Sequence, residues 1–490
     1  MSIDTSTDPS SRSTPAEGTP RSERPRSGGG LFRAFWRWHL FASVLVVPVL
    51  VLLSVTGLIY LFRFQLEPML HPDLMRLQPA AATAVEQPAS AQLAAVVGEF
   101  PGATVVSMTE PGAADEPSRF SIVTADGAAR DVFVDPHGPK VLGSLDPDTT
   151  LSGYALRLHG ELMSGRLGDA VIELGACWAI VMALTGYYLF VRGRRARRLA
   201  LRRAREKRVG LARARLRWTH AGVGAFVGAG LLLLLVSGLP WTGFWGEKVQ
   251  QLASERGTSL WSTDPGAVSD PTSTLDESLP HSHATDVPWA LQESEVPRSQ
   301  PVDAGQDGER SVASIDTAVE VADREGLRHP FTVALPESED GVFSVIGYAF
   351  DAPSDERTVH VDRFGGQAIS TYGYDDYPAL AKVVSQGIGL HEGRSLGLWS
   401  FWGAALMCVA ILFACVSGPL LWWSRRPRGA GRIGAPRGRM PLRRSPLLLL
   451  GVVALGVVLP LFGASLLLVL ALDQLVLRRV PALAQWFDVA

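Results

Sequence analysis

The stretch WRWHLFASVLVVPVLVLLSVTGLIYLF, Trp36 to Phe62, decides the fold class. Beyond His39 it carries no charge until Arg63, and its apolar run meets the roughly 20 residues that a hydrocarbon core of about 30 Å requires. Four more runs have the same character: Ala170–Val191, Ala221–Trp241, Leu398–Trp423 and Leu447–Leu472. The 490-residue chain is 47% hydrophobic and 19% charged, with its apolar residues gathered into these runs. The expected fold is a polytopic α-helical membrane protein of about five transmembrane helices.

A net charge of −2 conceals strong segregation. Residues 1–38, 192–217 and 425–445 hold 6, 13 and 8 of the 46 Lys and Arg. The segments 65–158 and 247–397 hold 12 acids against 5 bases and 26 against 10. Basic flanks mark the cytoplasmic side, so the N-terminus and both Arg-rich connections are expected inside and the two long acidic segments outside. A fifth span then leaves the C-terminal tail outside. Because the Arg-rich runs abut spans, anionic membrane lipid is their expected partner, and no nucleic acid is expected. Residues 1–33 read as a Ser/Pro/Gly/Arg-rich disordered tail, with no cleavable signal. Cys177, Cys408 and Cys415 all fall within spans and offer neither a disulfide framework nor a CxxC motif.

The opening stretch is repeated. His39 precedes Gly57 of Thr56-Gly57 by 18 residues, and His220 precedes Gly238 of Ser237-Gly238 by 18. In the spans that follow the acidic segments, His159 precedes Gly186 by 27 residues and His391 precedes Gly418 by 27. The acidic segments also correspond, DVFVDPHGPKVLGS (131–144) with TVHVDRFGGQAIST (358–371). Each reads as strand, turn, strand, so two extracytoplasmic α+β domains are expected as an internal repeat. The expected order is tail 1–33, span 34–64, domain 65–150, His-bearing segment and span 151–192, and basic loop 193–217. It continues with span 218–245, domain 246–385 bearing a disordered acidic insertion at 262–310, His-bearing segment and span 386–424, basic loop 425–445, span 446–473 and tail 474–490. His281 and His283, inside the insertion, read as solvated sequence.

Only His39, His159, His220 and His391 occupy the repeated positions. A single interfacial histidine is unremarkable beside Trp36 and Trp38, but ligating residues at matched membrane depths are functional candidates. Two imidazoles on facing helices suit the axial positions of a haem iron, and zinc normally wants more ligands. Without a CxxCH motif, haem would be of the non-covalent b type, two per chain. Ala42, Ser43, Gly222 and Gly224 leave room beside the first pair. Arg37 and Arg217 are candidate propionate partners inside, Arg157 and Arg394 outside.

With the elements WHLFASVLVVPVLVLLSVTG, LHGELMSGRLG, HAGVGAFVGAGLLLLLVSGLPW and LHEGRSLG, the chain resembles the PepSY-associated transmembrane family, also labelled iron-regulated membrane proteins, from about Phe35 to Trp423. The resemblance implies PepSY folds, small sheets packed on a helix, for the outside domains. It implies haem ligation by His39, His159, His220 and His391, and kinship with di-haem ferric-siderophore reductases of the cytoplasmic membrane. The expected activity is outward electron transfer to a ferric siderophore or other ferric chelate. No G-x-G-x-x-G follows a strand, so a quinol or a separate reductase is expected as donor. The alternative is a membrane-anchored PepSY module that regulates a peptidase or senses envelope state. One geometric question accompanies the spacing: 27 residues of unbroken helix would carry His159 about 40 Å from Gly186, unless Gly160, Gly165, Gly168, Gly393 and Gly397 let the Leu-His segments fold back.

Overall fold

The computed structural model describes residues 28–77, 85–246, 248, 271–274, 295–299, 312–338, 340–347, 352–425, 433 and 445–487. His281, His283 and the tail before residue 28 lie outside these. Gly28–Leu61 forms α1, so the tail expected over 1–33 is helical from Gly28. Arg63–Leu70 (α2) and Pro72–Met75 (α3) lead to Ala89–Glu99 (α4) and a meander of Thr104–Thr109 (β1), Ser118–Val123 (β2), Ala129–Asp135 (β3) and Lys140–Leu145 (β4). Leu151–Glu161 (α5) carries His159 and precedes Gly165–Lys207 (α6) and Leu211–Gly238 (α7). The second half has Pro271–Thr274 (β5), Glu295–Pro297 (β6), Ile315–Arg324 (α8), and a meander of Thr332–Ala334 (β7), Phe343–Gly347 (β8), Arg357–Val361 (β9) and Ala368–Gly373 (β10). Ala379–Glu392 (α9) then carries His391 into Leu398–Arg425 (α10).

The two meanders do not fold as separate sheets. They join into one antiparallel sheet of eight strands, ordered β10-β9-β8-β7-β1-β2-β3-β4. At the seam Ser107, Met108 and Thr109 pair with Ala334, Val333 and Thr332, and the hydroxyls of Thr109 and Thr332 lie 3.0 Å apart. Pairing β1 with β7 satisfies two edges that would otherwise present open backbone groups. α4 and α8 cover one face, where Val96, Phe120, Ile122, Ala318, Val321, Val345 and Val359 form a single core. His329 straddles the two halves, 2.7 Å from Glu110 and 2.8 Å from Asp323. Partial burial works against its charge, but these carboxylates outweigh it and hold the imidazole above its ordinary pKa.

Part of the expected disordered insertion is ordered. β5 and β6 pair, Val296 enters the core on the second face of the sheet with Ile346 and Tyr372, and Ser299 bonds Asp340 and Arg363. Burial of Val296 against the sheet outweighs the acidic composition around it, although its neighbours Glu295 and Pro297 are poor strand formers.

Among the described residues five helical segments, α1, α6, α7, α10 and Pro460–Leu477, are long and apolar enough to cross a membrane, and the protein is a multi-pass membrane protein. α1, α6, α7 and α10 form a closed ring in which α1 and α7 each pack on both α6 and α10. Small residues permit the close approach: Gly175 lies against Val49, Gly228 against Tyr187 and Gly230 against Met407. The connection expected as a loop at 193–217 is instead helical. α6 has 43 residues, about 65 Å at 1.5 Å per residue, and turns into α7 through left-handed Arg208 and Gly210. Long straight side chains such as Arg favour helix, and nothing in 193–207 breaks it.

The last apolar run is not one span. It breaks at Leu459 into Pro446–Val458 (α11) and Pro460–Leu472 (α12), followed by a π-helical turn and Pro481–Trp486 (α13). Pro460 has no N–H to continue the helix and disfavours the helical conformation of the residue before it. The two arms return on each other, with Gly463 against Gly456. Val458, near the break, accepts a bond from Trp245 beyond the end of α7, whereas Phe487 lies 6.0 Å from Phe41 and accepts from Arg37 at the start of α1. The tail expected on the far side therefore sits on the same side as the start of α1. A C-terminal epitope tag is expected to be cut by protease from the same side of the membrane as an N-terminal tag. Cutting of the two tags from opposite sides would refute the hairpin.

Candidate functional site

The four histidines stand at the two ends of the ring. His39 and His220 occupy diagonal helices α1 and α7 at the end away from the sheet, close enough to interact electrostatically. His159 and His391 come from α5 and α9, short helices folded over the sheet end of the bundle. α5 stops at left-handed Leu162 and Met163 with Gly165 at φ 56°, and α9 stops at Gly393 (φ 79°) before Gly397 (φ 55°). Gly160 stays within α5, and Gly168 packs against the Glu161 carbonyl, where no Cβ would fit. The Leu-His segments thus fold back. α5 is held by its Thr150 cap and by Glu67, whose carboxylate accepts the Ser152 N–H at 2.6 Å.

The Thr-Gly and Ser-Gly pairs that mark the repeat in sequence turn out to be partners of the histidines, across helices. His159 Nδ1 lies 2.9 Å from the Thr56 hydroxyl, His391 Nδ1 3.0 Å from Ser237, and His220 Nδ1 2.7 Å from Ser417. His39 Nδ1 lies 3.0 Å from the Met182 carbonyl and 3.4 Å from Thr185. The following glycine admits each ring: a Cβ on Gly57, Gly186, Gly238 or Gly418 would stand 3.1–3.5 Å from the imidazole Cε1.

This geometry fixes the tautomer. Thr56 donates its own proton to Leu52 O at 2.8 Å, Thr185 to Val181 O at 2.8 Å, Ser237 to Leu233 O at 2.8 Å and Ser417 to Ala414 O at 3.3 Å. Thr56, Thr185 and Ser237 then accept from their histidines, and the Met182 carbonyl is an acceptor in any case; Ser417 stands closer to His220 than to Ala414 and takes the same role by correspondence with the other three. Nδ1 therefore carries the proton and Nε2 presents its lone pair, as a neutral metal-ligating imidazole does. Outside the spanning helices, burial pushes His159 and His391 down to about 4, with the charge of His391 adding to the effect at His159.

The rings of His159 and His391 lie 6.2 Å apart, centroid to centroid, at 77°. That separation suits one metal ion held at roughly 2 Å from each ring nitrogen, with the half-width of each ring added. Among the described residues no cluster of three or more His, Cys, Asp or Glu could hold a metal ion. The donor set is two pairs of imidazoles, which fits axial ligation of a macrocycle that supplies its own equatorial donors. Open space beside Gly222 and Gly224 lies next to the His39/His220 pair.

The arginines are differently placed. Arg217 sits among Arg197, Arg213 and Arg425, a cationic cluster near the His39/His220 end. Arg37 bonds the Phe487 carbonyl at 2.8 Å and covers the Phe41 ring. Arg157 is 3.8 Å from Glu161. Arg394 is committed to Glu356 at 3.0 Å and Glu392 at 2.6 Å. Burial opposes its charge, yet the two carboxylates hold its pKa above the ordinary value, while burial raises that of Glu356. Arg394 thereby ties the His391 helix to the sheet. A cavity of about 620 Å³ opens beside the His159/His391 pair, lined by Gly160, Arg166, Asp169, Trp241, Phe244 and Lys248 among others. Trp241 meets the His391 ring edge-on at 5.9 Å.

The structure pairs the four histidines that the sequence singles out, and it places beside them hydroxyls that the sequence reading did not name. The signal was present in the repeated Thr/Ser-Gly pairs, spaced from the histidine that precedes them in the sequence rather than from the one they contact. A search of the curated proteins finds no match. The sequence profile of the PepSY-associated TM region matches residues 36–425, which takes in both halves from the first spanning helix through α10. The chain belongs to the PepSY-associated transmembrane family.

Proposed function

We propose that the protein is a di-haem electron-transfer protein of the cytoplasmic membrane that reduces an extracytoplasmic acceptor, a ferric siderophore fitting best. The observation that carries this reading is the His159/His391 pair, 6.2 Å apart with both Nδ1 atoms hydrogen-bonded. His39 and His220 would hold one b-type haem and His159 and His391 the other; when bound, the haems supply reversible one-electron chemistry. The chain's own part is to present four Nε2 lone pairs and to fix their rings against glycines. The twofold order of helix, meander, His-bearing helix and spanning helix supports duplication of one ligand-bearing unit.

Charge segregation supports the orientation. The Arg-rich ends of α6, α7 and α10 face the cytoplasm and its anionic lipid, and the sheet faces outward. The His159/His391 pair then serves the extracytoplasmic acceptor. Ferric chelates suit that role because Fe(II) binds hard oxygen ligands less tightly than Fe(III), so reduction loosens the complex. The donor is a quinol or a separate reductase. Two haems per chain are expected on extraction of detergent-purified protein, and His39→Ala or His220→Ala is expected to leave one. A colourless preparation from haem-replete cells would sink this reading and favour a PepSY module on a membrane anchor.

A further inference from the structure

The helix that carries His391 is gripped along its length by one carboxylate of the sheet. Glu356 stands immediately before β9, in the turn that follows β8, and is 3% exposed. Its Oε1 accepts from the Arg394 guanidinium at 3.0 Å, and its Oε2 accepts from the Tyr377 hydroxyl at 3.2 Å and the Ser385 hydroxyl at 3.1 Å. Tyr377 lies just before α9, Ser385 within it and Arg394 just past its end. Arg394 also bonds Glu392, the residue after His391, at 2.6 Å. Pro353, from the same turn as Glu356, packs on Gly389 of α9 where no Cβ would fit.

The carboxylate is itself fixed to the sheet. On one side of it Asp355 accepts from Arg328 at 2.9 Å, and on the other Arg357 donates to the Glu325 carbonyl at 2.8 Å. Arg328 and Glu325 belong to the connection from α8 to β7, the same connection that brings His329 to Glu110 of the first half. The His159 helix is held in another way: Glu67 of α2 meets its first turn through Ser152, and Arg157 and Glu161 pair within it. The two facing rings are thus fastened to different parts of the molecule. Taking a carboxylate and a guanidinium out of water gains little over an apolar contact, so such a pair does more to fix one arrangement than to strengthen the fold.

Resting on the di-haem reading, we propose that Glu356 is a positioning residue for His391, and that the sheet sets the orientation of this ligand through it. A ligating imidazole moves with the helix that bears it. With Tyr377, Ser385 and Arg394 bound to one carboxylate, α9 cannot roll or slide without breaking a charge-assisted bond. Ser237 fixes the ring at its Nδ1, and Glu356 fixes the helix beneath it.

The test compares Glu356→Ala with the wild type as full-length purified protein, by the ferric EPR spectrum and the midpoint of each haem. The EPR signal of a low-spin ferric haem reports the angle between its axial imidazole planes, and the His159 and His391 rings stand at 77°. One signal is expected to change, the one that His391→Ala removes. Its midpoint is expected to move by up to tenfold in equilibrium constant, about 59 mV for one electron. The other haem is expected to keep its wild-type signal and midpoint. Glu356→Gln, whose amide can still accept from Arg394 and donate to the two hydroxyls, is expected to recover most of the change. If Glu356→Ala does not fold, Ser385→Ala decides, since it removes one bond and is expected to move the same signal by less. A protein without haem overturns the di-haem reading and this role together. A di-haem protein whose signals ignore these substitutions, or whose two haems shift alike as general loosening would make them, overturns the positioning role alone.

Discussion

Replacing His391 with alanine is expected to leave a protein with one haem that no longer delivers electrons to ferric chelates at the wild-type rate. The substitution removes half of a two-ligand site, and the ring it removes is the one that Ser237 and Gly238 hold toward His159. His220→Ala is expected to have the complementary effect. It disables the pair at the Arg-rich end, so the physiological donor can no longer load the protein, while a small reductant added outside still supports chelate reduction. The measurement is anaerobic: chemically reduced protein is mixed with a ferric siderophore, and Fe(II) is caught by a ferrous trap. In this assay a loss of roughly two orders of magnitude or more in rate is expected from His391→Ala, and from His220→Ala only when the physiological donor supplies the electrons, since a missing ligand removes the centre rather than tuning it. Wild-type reoxidation rates in His391→Ala would sink the assignment of the outer pair. A di-haem wild type that no ferric chelate reoxidises would point to a different acceptor.

The second large effect is expected from groups that touch no cofactor. Thr56→Val keeps the shape of the side chain and removes the acceptor for the Nδ1–H of His159, 2.9 Å away. Loss of a partner that orients a ligating histidine typically weakens metal affinity about 10- to 100-fold. Transfer of haem from the variant to an apo-acceptor protein is expected to accelerate by that order, and the midpoint of the outer centre to shift; Thr56→Ser is expected to restore both. At the other end, Gly186→Ala places a Cβ 3.1 Å from the Cε1 of His39 and turns that ring off its bond to Met182. A Thr56→Val protein with unchanged haem retention and midpoint would reduce the hydroxyl to an ordinary helix back-bond, of the kind Thr56 makes with Leu52.

These predictions mix what could be read from the chain with what could not. The spans were legible because crossing a bilayer is a property of consecutive residues, and TM segments announce themselves as uninterrupted apolar runs. The four histidines stood out because His39 and His220 precede Gly57 and Gly238 by one spacing, and His159 and His391 precede Gly186 and Gly418 by another. The exception among the spans is instructive. The run from 447 to 472 has the composition of one crossing, yet it breaks at Leu459–Pro460 into a hairpin with Gly456 against Gly463; proline alone does not compel this, since α1 and α10 continue through Pro48 and Pro419.

The sequence by itself therefore determined the membrane class, the charge asymmetry between the two sides, the family and the identity of the imidazoles. Tertiary structure decided which groups meet. Thr56 and His159 are 103 residues apart and His220 and Ser417 are 197 apart; their contacts follow from the ring in which α1 and α7 each touch α6 and α10. The same holds for the seam between β1 and β7, which turns two expected sheets into one. It holds also for Glu356, whose partners Tyr377, Ser385 and Arg394 lie 21, 29 and 38 residues further along the chain. Apolar run length and helix-breaking residues are local and survive in a string of letters. Adjacency between distant helices is set by side-chain packing that no short window contains, so the hydrogen bonds that orient the four histidines could be located only once the chain was folded.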